Sequence, residues 1–170
     1  MFNKKLAIVG ASGAVGRVFI ELLDEMYPGT KDLFLVASKR SAGRSMFCGK
    51  QEFIIQDIEE FDFSQVEIAF FSAGAETAEK YAPIAVSKGC TVIDNSSQFR
   101  TDSDKPLIVP EVNSKDLENF KLPGIIANPN CSTAQLVVAL KPIHDLFKIE
   151  RVDVASYQSV SGTGKEGIDE

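Results

Sequence analysis

Leu6-Ala7-Ile8-Val9-Gly10-Ala11-Ser12-Gly13-Ala14-Val15-Gly16 is the stretch that decides the fold. A short apolar run leads straight into glycines at positions 10, 13 and 16, and Val15, Val18, Phe19, Leu22, Leu23 and Met26 then recur at spacings of three and four. Strand, tight turn and helix in that order bring backbone N–H groups and the positive end of a helix dipole against a pyrophosphate. Gly10, Ser12, Gly13, Ala14 and Val15 are therefore expected to hold a dinucleotide. The spacing is GxxGxxG rather than GxGxxG, and the alternative is a turn that only permits close helix–strand packing.

Outward from this loop, strand-length apolar runs alternate with helix-period segments. Leu33 to Ala37 and Ile68 to Phe71 lack polar alternation, as suits strands buried on both faces of a parallel sheet. A more polar region near Phe47 to Gln56 reads as a hairpin. Ala75 to Lys88 reads as a helix stopped at Gly89, followed by the strand Thr91-Val92-Ile93; the order repeats with Ile125-Ile126-Ala127 and a helix from Cys131 to about Phe147. Pro142 is a candidate to kink or stop that helix early. Val152 to Tyr157 reads as a further strand, leading into the Gly-rich segment Ser161 to Gly167. The alternation predicts an α/β fold: a right-handed, doubly wound, Rossmann-like, mostly parallel sheet with flanking helices and ligands at the strands' carboxyl ends. At this length one compact domain is the starting expectation. Gly167 to Glu170 reads as a helix just starting, a hint of truncation, with a short capping helix as the alternative.

Composition narrows the function. With 44% hydrophobic residues in 170, the chain can bury one good core. Its apolar runs fall short of a membrane span, and its start leads directly into a strand signal, so a soluble cytoplasmic protein is expected, without membrane partners. A net charge of −6 argues against a general nucleic-acid surface. Cys48, Cys90 and Cys131 are too scattered for a disulfide framework and lack metal-ligand spacing, so reduced thiols and no metal are expected.

The second strand ends without the acidic residue that would hold an adenosine ribose diol. It runs instead into Ser38-Lys39-Arg40-Ser41-Ala42-Gly43-Arg44, whose hydroxyls and guanidinium groups suit a ribose 2′-phosphate, so NADP is the natural cofactor, with Ser38, Arg40 and Ser41 in contact. A solvated basic turn is the alternative. Ser72-Ala73-Gly74, after the strand Ile68 to Phe71, is placed to lie along the dinucleotide, or simply to permit packing.

Cys131 follows Asn128-Pro129-Asn130 between an apolar strand and an apolar helix. At a helix N-terminus the dipole and free N–H groups favour thiolate over thiol and can hold a developing oxyanion, making Cys131 a plausible nucleophile. Cys48 and Cys90 read as small packed or surface residues. His144, the only histidine, is about 20 Å along a regular helix from Cys131 and roughly 220° around it. It cannot serve as the base of that thiol.

Several ordered motifs resemble one family: the Gly10–Gly16 loop, the Ser38–Gly43 turn, Asp94-Asn95-Ser96-Ser97-Gln98-Phe99-Arg100, Val109-Pro110-Glu111-Val112-Asn113, Asn128-Pro129-Asn130-Cys131 and Tyr157-Gln158-Ser159-Val160-Ser161-Gly162-Thr163-Gly164. Together they resemble aspartate-semialdehyde dehydrogenase over essentially the whole chain. The related N-acetyl-γ-glutamyl-phosphate reductases typically carry Gly-Cys-Tyr-Pro around the nucleophile, unlike Asn130-Cys131-Ser132-Thr133 here. The resemblance implies reversible, NADP-dependent reductive dephosphorylation of aspartyl-β-phosphate to the semialdehyde, on the route to lysine, threonine, methionine and diaminopimelate, in a homodimeric parent enzyme. It implies Cys131 as acyl-thioester nucleophile, Gln158 orienting the acyl group, Arg100 with Asn130 and Gln158 holding substrate and phosphate, and Ser161 with Gly162 near the nicotinamide. The resemblance implies a division into residues 1–130, the NADP-binding domain, and 131–170, the nucleophile helix and the start of the family's catalytic and dimerisation domain. The family's acid/base histidine and substrate-carboxylate arginine come from a later region, so this piece is expected to retain at most NADP binding and thiol alkylation. A related acyl-phosphate reductase and a non-catalytic NADP-binding module are the competing readings.

Overall fold

The computed structural model describes residues 4–158. Its strands are β1 (Leu6–Val9), β2 (Leu33–Ala37), β3 (Ser45–Cys48), β4 (Gln51–Asp57), β5 (Ile68–Phe71), β6 (Thr91–Asp94) and β7 (Ile125–Ala127); its helices are α1 (Ala14–Met26), α2 (Ala75–Ser87), α3 (Pro110–Asn113) and α4 (Cys131–Phe147). The strands form one seven-stranded sheet in the order β3-β4-β2-β1-β5-β6-β7. Every neighbouring pair is parallel except β3 with β4. The polar hairpin expected from the sequence thus exists, and its second strand also pairs in parallel with β2.

Helices cover both faces. Ile20 and Leu23 of α1 pack with Ile8, Leu35, Phe53 and Ile55 on one side; Ala78, Ala82 and Ala85 of α2 pack with Val9, Val36, Phe71 and Val92 on the other. The central strands lose solvent on both faces, which is why they read as unbroken apolar runs. Burying a side chain such as Ile8 or Phe71 stabilises the fold by about 1.5–3 kcal/mol. The small residues on α2 let that helix lie close to the sheet.

After β2 the chain builds β3 and β4 outward, then returns to the other side of β1 with β5. The strand order therefore reverses at β1. In an open α/β sheet this point opens a crevice at the carboxyl ends of the strands.

Two expectations are corrected. Val152 to Tyr157 is not a strand: the segment is irregular, and Tyr157 is fully exposed. Its composition favours extended backbone, but a strand also needs a neighbouring edge to bond to. Among the described residues none lies beside it. Pro142 does not stop α4, which continues to Phe147 and closes at Lys148 in the left-handed region with φ 56°. Pro142 and Val138 are both exposed, so water can solvate the carbonyl that proline cannot serve. None of α4's residues is buried, and its packing partner is α3.

Candidate functional site

Gly10 leaves β1 with φ 88°, a conformation that L side chains rarely adopt, and a Cβ there would lie 2.7 Å from the Ser72 backbone. The loops after β1 and β5 therefore meet only because this residue is glycine. Gly16 has the same role one turn into α1, where a Cβ would come 2.3 Å from the Gly10 carbonyl oxygen. Gly13 is the N-cap of α1 and brings no side chain to cap it, so the first N–H groups of that helix, at Ala14 and Val15, face outward with the positive end of its dipole.

At the strand-order reversal lies a cleft of about 290 Å³ lined by Val9, Gly10, Ser12, Gly13, Ala37, Ser38, Ile58, Ser72, Ala73 and Thr77. It gathers residues from the ends of β1, β2, β4 and β5 and the first turn of α2. The Ser12 hydroxyl donates to Ser41 Oγ at 3.1 Å, joining the glycine loop to the loop after β2. Ser41 is buried, its N–H bonded to the Ser38 carbonyl at 2.8 Å, while Arg40 beside it is exposed. Gly74 caps α2 with φ 87° and does not line the cleft. Ile58 and Thr77 also line the cleft, and no local motif marks either of them. The parallel pairing of β4 with β2 that delivers Ile58 leaves no local signal.

A second cluster forms where β6 and β7 end. Asp94, fully buried, accepts from the Ser96 N–H at 3.1 Å and the Ser96 hydroxyl at 2.6 Å. Burial pushes its carboxyl above the usual aspartate value, although the Ser96 bonds and Arg100 pull the other way. Arg100 donates through Nε to the Asn128 carbonyl at 2.9 Å and through Nη2 to the Asn95 carbonyl at 3.0 Å. It is half-buried and held on one edge, so it is not a loose surface cation.

Asn128 leads through buried Pro129 to Asn130, whose side chain accepts from the Ser132 N–H at 3.0 Å and caps α4. Cys131 is the first residue of α4, and its thiol is exposed. The Gln158 amide lies 3.7 Å from Cys131 Sγ, and Asn130 Oδ1 lies 3.9 Å from it. Cys131, Asn130 and Gln158 thus lie together at the head of α4. Ser161 and Gly162 lie outside the described residues. Cys48 and Cys90 are buried; burial pushes the Cys90 thiol up to about 12 and, with help from Asp24, raises that of Cys48. His144 sits in the last turn of α4, its Nδ1 accepting from the Ile149 N–H at 3.2 Å.

A doubly wound sheet with a glycine cradle at its switch point defines a class, the Rossmann-like dinucleotide-binding domains, and here an exposed cysteine heads a helix at the same end of the sheet. A family model described as semialdehyde dehydrogenase, NAD binding domain, matches residues 5–120, and one described as semialdehyde dehydrogenase, dimerisation domain, matches residues 140–170. The chain belongs to the semialdehyde dehydrogenase family. An aspartate-semialdehyde dehydrogenase of Shewanella violacea is 56% identical over 166 residues, covering 97% of this chain and 49% of that protein. A crystal structure of aspartate semialdehyde dehydrogenase II from Vibrio cholerae complexed with ASA superposes with TM-score 0.94 at 52% identity, covering 99% of this chain and 50% of that one. One from Candida albicans with NADP gives TM-score 0.72 at 31% identity, covering 86% and 48%. The chain spans about half the length of the curated relatives it matches.

Proposed function

We propose that this chain is the NADP-binding, nucleophile-bearing part of an aspartate-semialdehyde dehydrogenase, with residues 1–130 as the cofactor domain and 131–170 opening the catalytic and dimerisation domain of a homodimeric parent. The reading rests above all on the contact between the Gln158 amide and Cys131 Sγ, 3.7 Å apart across 27 residues of sequence. It places an amide donor against an exposed thiol at the start of a helix, on the sheet end that also carries the nucleotide cleft.

The cofactor fits the residues present. The uncapped N-terminus of α1, the cradle that a Cβ at Gly10 would fill, and the Ser12–Ser41 hydroxyl pair suit a pyrophosphate and a phosphorylated ribose. Gly10, Ser12, Gly13, Ala14 and Val15 would hold the diphosphate, Ser38, Arg40 and Ser41 the 2′-phosphate, and Ser72 and Ala73 the wall along the dinucleotide. NADPH, when bound, is the hydride source of such a reaction.

The Cys131 thiolate attacks the acyl carbon of aspartyl-β-phosphate; a carbon–sulfur bond forms, the carbon–oxygen bond to phosphate breaks, and phosphate leaves with that electron pair. The positive end of the α4 dipole and the Gln158 amide stabilise the oxyanion, and the outward edge of Arg100 steadies the phosphate. Asn130 and Gln158 are the side chains within hydrogen-bond reach of the thiol among the described residues, and neither titrates near neutrality. Turnover by these residues alone is therefore not expected.

Calorimetric titration of the chain with NADP and NAD, beside an assay of phosphate-dependent aspartate-semialdehyde oxidation in a protein of the relatives' length, tests this. NADP binding together with activity abolished by Cys131→Ala is the expected result. Activity on N-acetylglutamyl but not aspartyl compounds would reassign the substrate.

A further inference from the structure

The register of β6 and β7 aligns Asp94 with Ala127, so Asn95 and Asn128 occupy the next rung, just past the end of each strand. There the backbone ladder continues as the Asn128 N–H donating to the Asp94 carbonyl at 2.8 Å, and the Asn95 N–H donating to the Phe71 carbonyl at 2.9 Å. The side chains add a rung of their own, Asn128 Nδ2 donating to Asn95 Oδ1 at 2.6 Å. Arg100 closes the frame by donating to both backbone carbonyls, those of Asn95 and Asn128. Two residues beyond Asn128, past buried Pro129, stands the cap of α4, and Cys131 follows it.

We propose that the Asn95–Asn128 amide pair is a positioning device that couples an anion held by Arg100 to the thiol of Cys131. Arg100 is fixed by the same backbone that carries the nucleophile, so the pair sets the anion and the sulfur in one frame. Neither asparagine touches the reacting atoms; both act through Arg100 and Cys131. The inference rests on the proposed anion-binding role of Arg100.

The test is the pH profile of Cys131 alkylation by iodoacetamide, read by peptide mass spectrometry, with and without inorganic phosphate. It compares the full 170-residue chain with Asn128→Ala, Asn95→Ala and the double variant. In the unsubstituted chain phosphate should slow alkylation about threefold to tenfold, because a dianion beside the sulfur disfavours a second negative charge. Each single variant should lose that dependence while melting cooperatively, and the double variant should be no worse than either single, as expected of two residues acting through one bond. Should Asn128→Ala fail to fold, Asn95→Ala decides. Phosphate dependence that survives in the variants overturns the coupling alone. Its absence from the unsubstituted chain overturns the anion-binding role of Arg100 and the coupling with it.

Discussion

Ser12 and Ser41 lie 29 residues apart in sequence, yet the hydroxyl of one donates to that of the other at 3.1 Å, and Ser41 is buried in doing so. The bond locks the glycine loop against the turn that carries Arg40. An exposed guanidinium on a locked turn discriminates by charge rather than by shape. Arg40→Ala should therefore weaken NADP binding about tenfold to a hundredfold, the loss of hydrogen bonds to a charged group worth about 1.5–3 kcal/mol. NAD binding should barely change. Calorimetry checks this, and equal weakening for both nucleotides would mean that Arg40 does not face the 2′-phosphate.

Gly16→Ala should damage the fold more than Gly13→Ala. The added Cβ at position 16 meets the Gly10 carbonyl oxygen at 2.3 Å and Ala11 Cα at 2.8 Å, backbone atoms that cannot step aside, whereas at position 13 the nearest atom is 3.2 Å away. Overpacking of this kind costs about 1–3 kcal/mol. Thermal melts should rank the variants in that order, and a Gly16→Ala protein as stable as the parent would refute the close approach.

Under native conditions near pH 8, iodoacetamide should label Cys131 and spare Cys48 and Cys90. The first thiol is exposed, and the other two are buried with their ionisation disfavoured. All three should react once the chain is unfolded. Peptide mass spectrometry distinguishes the sites, and native labelling of Cys90 would contradict its burial. The same burial makes the fold sensitive to alkali. With its folded value raised to about 12, Cys90 contributes stability that is full below the unfolded thiol value of about 8.5 and is lost as pH rises toward 12. Cys90→Ala should flatten that decline in denaturation curves, whatever its cost in packing.

Asp94 gives a slope of the same sign at acid pH. Its folded carboxyl is raised by burial, so its contribution is fully present below the unfolded value of about 3.9 and is lost as pH rises through the folded value. Asp94→Asn should remove this component from urea denaturation followed from about pH 4 upward. An unchanged profile would show that the Ser96 bonds and Arg100 already offset the burial.

Much of this architecture is written locally. The run Leu6 to Val9, the glycines at 10, 13 and 16, and the three-and-four spacing from Ala14 to Met26 specify strand, turn and helix through residues only a few positions apart. The observed elements follow them closely. Cys131 at the head of α4 follows from the same kind of pattern. Gln158 belongs to no such pattern: resemblance to a family implies a role for it, and no periodicity announces an amide that meets a thiol 27 residues back.

What the sequence by itself determined, then, was the order of strands and helices, the glycine loop with its basic counterpart after β2, and the thiol at a helix start, because each depends on backbone preference and hydrophobic period over a single element. The tertiary structure decided the rest. β4 became the parallel neighbour of β2 and delivered Ile58 to the cleft; Val152 to Tyr157 found no edge among the described residues to pair with and stayed irregular. Cys48, in a polar stretch, was buried where α1 lies over the hairpin, its thiol donating to the Ile20 carbonyl at 3.7 Å. Asn95 and Asn128 met only because β6 and β7 align in register. Such contacts join residues tens of positions apart through the packing of the sheet as a whole, and no local stretch of the chain encodes them.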